Sequence, residues 1–183
     1  MTQALKSLTQ ALTQKDFVDI SNFPGVQVDL RYGSTNNILQ LDVYGGSQRA
    51  LLHREAAEKF AQACKILQDK HPTLNFLVYD SLRPNSAQKV FWQHVVNTDQ
   101  QKYFADPAKG SIHSFGFAID LGLADRAGQE IDMGTEFDNL TPLAEPIRED
   151  EFLSSGKLNA EQVRMRRILR TVMEEAGFLS IKH

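Results

Sequence analysis

Apolar residues recur along this chain at two spacings, and the spacing marks out its elements. Ala4, Leu5, Leu8, Ala11 and Leu12 fall at helical intervals between polar residues, predicting a short amphipathic helix over Met1–Gln14. Val26, Val28 and Leu30 alternate with polar positions after Pro24-Gly25, the pattern of a strand entered from a turn, and a loop rich in Gly, Ser and Asn follows. From Leu51 to Gln68, Ala56, Phe60, Ala63 and Leu67 form one helical stripe, which Pro72 closes. Asn75–Tyr79 is a short apolar strand, and Ala87, Val90, Phe91 and Val95 restore helical spacing over Ser86–Val96. Arg83 therefore stands where a strand gives way to a helix. Phe117–Leu123 predicts a further strand. The last helix opens at Asn159 with Gln162 three positions on, buries Val163, Ile168, Leu169, Val172, Met173 and Ala176, and ends at Gly177. Between these, Asp138–Lys157 is polar and proline-containing, which predicts a long loop or flap.

Length and charge narrow the field. A chain of 183 residues, 42% hydrophobic and 23% charged, is long enough for one substantial core and short for two domains, so a single domain over residues 1–183 is expected. Its net charge of −3 and the lack of a basic run speak against nucleic acid as a partner. The single cysteine, Cys64, excludes an intrachain disulfide and a multi-cysteine zinc site, so any metal must sit on His, Asp or Glu. Cys64 borders the stripe of its helix and is expected in the core, as Trp92 is in part. No apolar run approaches the roughly 20 residues of a membrane span. The N-terminus lacks the features of a signal peptide. A cytoplasmic location follows as an expectation, or a periplasmic one if a signal peptide has been removed.

The densest group of chemically capable residues is Ser111-Ile-His-Ser-Phe-Gly-Phe-Ala-Ile-Asp120. An imidazole nitrogen and a carboxylate oxygen are both zinc ligands, and Gly116 lets the backbone fold back between His113 and Asp120. On spacing alone the default remains a loop histidine and a strand-end carboxylate in ordinary hydrogen bonds. His53, His71 and His94 have no partner at ligand spacing. Glu145, Glu149, Asp150 and Glu151 read as a solvated acidic cluster in the flap.

Ser-x-His-x-x-Gly-x-Ala-x-Asp resembles the first metal motif of the D-alanyl-D-alanine dipeptidases of vancomycin resistance and their relatives. Four other blocks resemble that family in the same order. They are Asp29-Leu-Arg-Tyr-Gly-Ser-Thr-Asn-Asn37, Tyr79-Asp-Ser-Leu-Arg-Pro84, Asp132-Met-Gly-Thr-Glu-Phe-Asp138, and the arginine-rich segment Arg166–Phe178. The resemblance implies an α+β fold, a small antiparallel sheet flanked by helices, shared with D-Ala-D-Ala metallopeptidases and hedgehog domains. It implies hydrolysis of D-Ala-D-Ala, or of a related cell-wall peptide, with a Zn2+ cofactor in a cleft over the sheet. His113 and Asp120 would be two of three zinc ligands, and Arg83 would stabilise the charge on the scissile carbonyl. Without the family, Arg83 reads as a solvated or salt-bridged residue. Ser111 and Asp138 would contact the substrate's amino end, with a loop cap as the competing reading, and Tyr32 would line the same pocket. Ser114 and Gly116 would shape the turn.

In the family, Ala-Gly-Phe is followed after about five residues by Glu-Trp-Trp-His, which carries the general base and the third ligand. This sequence reads Leu179-Ser-Ile-Lys-His183 at that point, and His183 would fall just before the missing glutamate. A truncated domain is the expectation, with weak metal binding and little or no activity in these 183 residues. The alternatives are a carboxypeptidase or endopeptidase of the same fold, and a non-catalytic zinc-fold binding module.

Overall fold

The computed structural model describes residues 1–181. Helix α1 (Gln3–Ala11) buries Ala4, Leu8 and Ala11 along one face, and the Thr2 hydroxyl caps it by accepting from the Leu5 N–H at 3.1 Å. Strand β1 (Phe17–Asp19) follows, then β2 (Val26–Val28). Strand β3 (Leu51–His53) runs straight into helix α2 (Arg54–Lys70). Strand β4 (Leu74–Asp80), helix α3 (Asn85–Val95), strand β5 (Asp120–Asp125), helix α4 (Glu149–Ser154) and helix α5 (Ala160–Glu175) complete the order.

β4 is the centre of the molecule. All seven of its residues are buried, because β2 and β5 flank it within the sheet while side chains cover both faces. Phe76 and Val78 face the main core with Phe60, Leu67 and Leu123, whereas Leu77 and Tyr79 form a smaller cluster with Ala124 on the opposite face. Full burial of a Phe such as Phe60 is worth about 1.5–3 kcal/mol relative to exposure. The α+β class matches expectation, but the sheet is mixed: β5 lies antiparallel to β4 and β2 lies parallel to it. The chain between β2 and β4 carries the whole of α2, and a crossover of that length allows parallel pairing.

Three local expectations are corrected. Leu51–His53 is a strand, not the first turn of the helix, because it pairs antiparallel with β1 in the register Phe17–His53, Val18–Leu52 and Asp19–Leu51. The segment expected as a flap contains α4, whose Phe152 packs with Leu158 and Val163. Glu149, expected to be solvated, is 4% exposed and pairs with Arg170 at 2.7 and 3.0 Å. Cys64 is buried and Trp92 half-buried, as their spacing indicated. The helix at Asn159 carries both halves of a capping box, and the Phe178 N–H closes its far end on the Met173 carbonyl at 3.0 Å.

Candidate active site

β4 and β5 run side by side and antiparallel, so the end of β4 lies beside the start of β5. Asp80, the last residue of β4, is in register with Asp120, the first of β5, beside an irregularity in the pairing between Val78 and Asp80. From Asp80 the chain runs through Ser81 and Leu82 to Arg83 and enters α3 after Pro84. A single 3-10 turn, Ile112–Phe115, is stitched to that exit: the Arg83 N–H donates to the His113 carbonyl at 3.1 Å. Gly116 ends the turn at φ +73°. A Cβ there would stand 2.7 Å from the His53 backbone nitrogen, so only glycine brings this turn against β3.

His113 is oriented by its Nδ1, which lies 2.9 Å from the Ser81 carbonyl oxygen. A carbonyl only accepts, so Nδ1 carries the proton. Nε2 then faces Asp120, 3.5 Å from its Oδ1. The other oxygen of Asp120 is 3.4 Å from Arg83 Nη2. Burial and these neighbours set the charges. Burial opposes a charge on Asp120, but His113 and Arg83 outweigh it and hold the carboxyl below its ordinary value. Burial likewise opposes protonation of His113, and the Asp120 carboxylate more than offsets it, so the imidazole is raised.

Arg83 is 8% exposed and spends its guanidinium on fixed partners. Nε and Nη2 both reach Asp80 Oδ2 at 2.7 Å, and Nη1 reaches Gln88 Oε1 at 3.3 Å. Gln88 is itself anchored, its amide donating to the Ala105 carbonyl at 2.7 Å. The Phe91 ring lies under the guanidinium at 4.9 Å from its centroid and that of Tyr32 at 5.3 Å. Burial disfavours the cation, yet Asp80 above all holds the pKa of Arg83 above its ordinary value.

Asp80 has no role in the sequence reading, although it lies inside the quoted Tyr79–Pro84 block; a carboxylate three residues before an arginine at a strand end was the available signal. Its ligand atoms cluster with those of His113 and Asp120, all within 4.8 Å, and the three form a group able to hold a metal ion. Their hydrogen bonds divide the group. Asp80 Oδ1 accepts from the Tyr44 hydroxyl at 2.7 Å and the Ser81 N–H at 2.9 Å, and Oδ2 is taken by Arg83, so Asp80 is spent. It also lies on the Nδ1 side of the His113 ring, 3.9 Å away, where the proton sits. Nε2 of His113 and the Asp120 carboxylate are the donors left facing one space.

That space opens into a cleft of about 830 Å³ lined by His113, Asp120, Tyr79, Phe137, Asp138 and Glu130, among others. Asp138 sits in its wall with a left-handed backbone, φ +59°. The Tyr32 hydroxyl donates to its two oxygens at 3.0 and 2.9 Å. Burial raises the Asp138 carboxyl to about 6, the nearby Asp120 and Asp80 adding to the effect while Tyr32 and Arg83 oppose it. Tyr32 and Arg83 stand behind the cleft wall. Ser111 is buried and caps the turn, its hydroxyl accepting from the His113 N–H at 3.3 Å. His183 lies outside the described residues.

Residues 13–183 match the model of a peptidase family described as D-Ala-D-Ala dipeptidase. This chain belongs to the D-Ala-D-Ala dipeptidase family. It is 33% identical to the D-alanyl-D-alanine dipeptidase of Escherichia coli over 159 residues, 87% of this chain and 76% of that protein. The enzyme of the same name from Synechocystis is 30% identical, covering 74% of this chain and 67% of its own. That of Enterococcus faecalis is 29% identical, covering 86% of this chain and 82% of its own. Family membership makes the chain a metallopeptidase, and among the described residues the junction of β4 and β5 brings together three side chains able to hold a metal ion.

Proposed function

We propose that this peptidase hydrolyses D-Ala-D-Ala or a closely related short cell-wall peptide, with zinc held by His113 Nε2 and Asp120. One observation carries the proposal: the carboxylate 3.5 Å from His113 Nε2 is also 3.4 Å from a buried, fixed guanidinium. A metal-binding pair and an electrostatic catalyst thus share one carboxylate. One imidazole nitrogen and one carboxylate oxygen, with no thiolate beside them, form a donor set that suits zinc. Bound there, the ion supplies Lewis-acid polarisation of the scissile carbonyl and acidifies the attacking water.

The chain's own residues do the rest. The Ser81 carbonyl holds His113 in the tautomer that presents Nε2. Arg83, kept charged by Asp80, stands behind the cleft wall beside Asp120, and from there its fixed charge offsets the negative charge that grows on the carbonyl oxygen, with little reorganisation needed. Asp138 receives the free ammonium of the dipeptide, and Tyr32 fixes that carboxylate from behind. Ser111 serves in this reading as the cap that shapes the His113 turn. Glu130 and Glu149 also line the cleft but are committed, Glu130 to Tyr79 at 2.5 Å and Arg31 at 2.8 Å, and Glu149 to Arg170. The general base and third ligand are assigned to the family's Glu-Trp-Trp-His, a string this sequence does not contain.

The test compares zinc content and D-Ala-D-Ala hydrolysis in the 183-residue chain and in the same chain extended by Glu-Trp-Trp-His. Near-stoichiometric zinc and hydrolysis in the extended form support the dipeptidase. Zinc without hydrolysis there, with turnover of longer peptides instead, moves the assignment to a carboxypeptidase of the same fold.

A further inference from the structure

Asp138 lies on no strand or helix, and its backbone is in a region that side-chain-bearing residues seldom adopt. Something outside the segment must hold it. Helix α5 presents Gln162, Arg166 and Arg170 at four-residue steps, which places them on one face. Each is tied to the same stretch of chain. Gln162 Nε2 donates to Asp132 Oδ2 at 2.8 Å, and Arg170 grips Glu149. Arg166, between them, spends its guanidinium entirely on the loop that carries Asp138. Nε donates to the Met133 carbonyl at 2.6 Å, Nη1 to the Leu143 carbonyl at 3.0 Å, and Nη2 to Thr135 Oγ1 at 3.2 Å.

Two of those acceptors precede Asp138 and one follows it, so one planar cation closes the loop at its stem. The stem is also tight against the start of the helix and the residues leading into it: a Cβ on Gly134 would collide with Leu158 Cδ2 and stand 3.1 Å from the Gln162 side chain. At the apex, Phe137 packs on Tyr32 and Tyr79 with ring centroids 5.7 and 5.1 Å apart. The hydroxyl of Tyr32 then meets Asp138.

We infer that Arg166 is a positioning residue for substrate recognition, closing the 133–143 loop so that Asp138 is held at the place that receives the dipeptide's ammonium. The inference rests on the proposed role of Asp138 as amine anchor. It is specific to arginine, because a lysine ammonium is one point and cannot span three separate acceptors.

The experiment is a double-mutant cycle read by NMR titration of D-Ala-D-Ala onto the metal-free chain, where binding is free of turnover. Arg166→Ala and Asp138→Ala are each expected to weaken binding about tenfold, and the double variant to be within about twofold of the weaker single one. N-acetyl-D-Ala-D-Ala, which has no ammonium, should bind Arg166→Ala and the unaltered chain alike; a merely structural loss would weaken both ligands. Thr135→Val, which removes one of the three bonds and leaves the helix untouched, covers the case in which Arg166→Ala does not fold. It should weaken the free-amine dipeptide about threefold, and leave binding unchanged in the Asp138→Ala background. The inference is overturned if Arg166→Ala binds the dipeptide as the unaltered chain does, or if the two single effects multiply in the double variant. Asp138→Ala binding like the unaltered chain would instead remove the amine-anchor reading, and the inference with it.

Discussion

The β4–β5 junction and the 132–149 segment flank the same cleft but are built in opposite ways. At the junction, Asp80 and Asp120 end two paired strands, and His113 and Arg83 are tied to the backbone beside them. The 132–149 segment has no ladder of its own. Side chains of α5 hold it, and Asp138 is fixed by a tyrosine and by the loop geometry that Arg166 closes. The groups proposed to meet developing charge are placed at the ends of the sheet strands. The group proposed to recognise the substrate's end is placed by side chains, which can vary without disturbing the sheet. The difference makes a testable division of labour: the junction governs kcat and the segment governs KM.

The strongest challenge to that division is Arg83→Ala in a chain competent for turnover. Loss of a guanidinium fixed at the developing charge should lower kcat by about 10²–10³-fold with little change in KM; a KM effect alone would break the comparison. Next comes Asp80→Ala, which leaves the Arg83 guanidinium buried without its main partner. A buried pair broken on one side costs about 3–5 kcal/mol, so denaturant unfolding should show a large drop in stability. Replacing Asp138 with Asn should raise KM for D-Ala-D-Ala about tenfold, the scale of one charge-assisted hydrogen bond lost, and leave kcat nearly unchanged.

The smallest effect sharpens the comparison by pH. Asp138 is a carboxylate above about 6 and neutral below it, facing Tyr32, Arg83, Asp120 and Asp80. Only the carboxylate attracts an ammonium. KM should therefore rise as pH falls through about 6, by several-fold near pH 5.5, and Asp138→Asn should abolish that dependence. A KM that falls with acidification would contradict the assignment.

The junction was the more legible region in the sequence because its residues sit in short local motifs. His113 and Asp120 share one block, Arg83 occupies a strand-to-helix boundary, and Gly116 marks the close approach its missing Cβ permits. Asp80 escaped notice because its role is defined by Tyr44, thirty-six residues earlier, as much as by Arg83. In the 132–149 segment the periodicity is weak. Helix α4 is only six residues long and is stabilised by Phe152 packing and the Glu149–Arg170 pair, which are tertiary and leave no local period. Strand β3 was hidden for a related reason. Three apolar-rich residues beside a strong helical stripe read as helix until β1, more than thirty residues away, pairs with them. The capping box and closing turn of α5 needed no partner and were plain in the sequence.

In the proposed site His113 and Asp120 hold the ion, while the Asp80 carboxylate is taken up by Arg83, the Tyr44 hydroxyl and the Ser81 N–H. Zinc-binding isotherms for the unaltered chain and for His113→Ala, Asp120→Ala and Asp80→Asn test it without any need for turnover. The first two substitutions should weaken zinc by more than about 100-fold, while Asp80→Asn, which touches only the surroundings of the ligands, should cost about tenfold or less. Retention of zinc by His113→Ala, or its loss in Asp80→Asn as complete as in Asp120→Ala, would contradict this assignment.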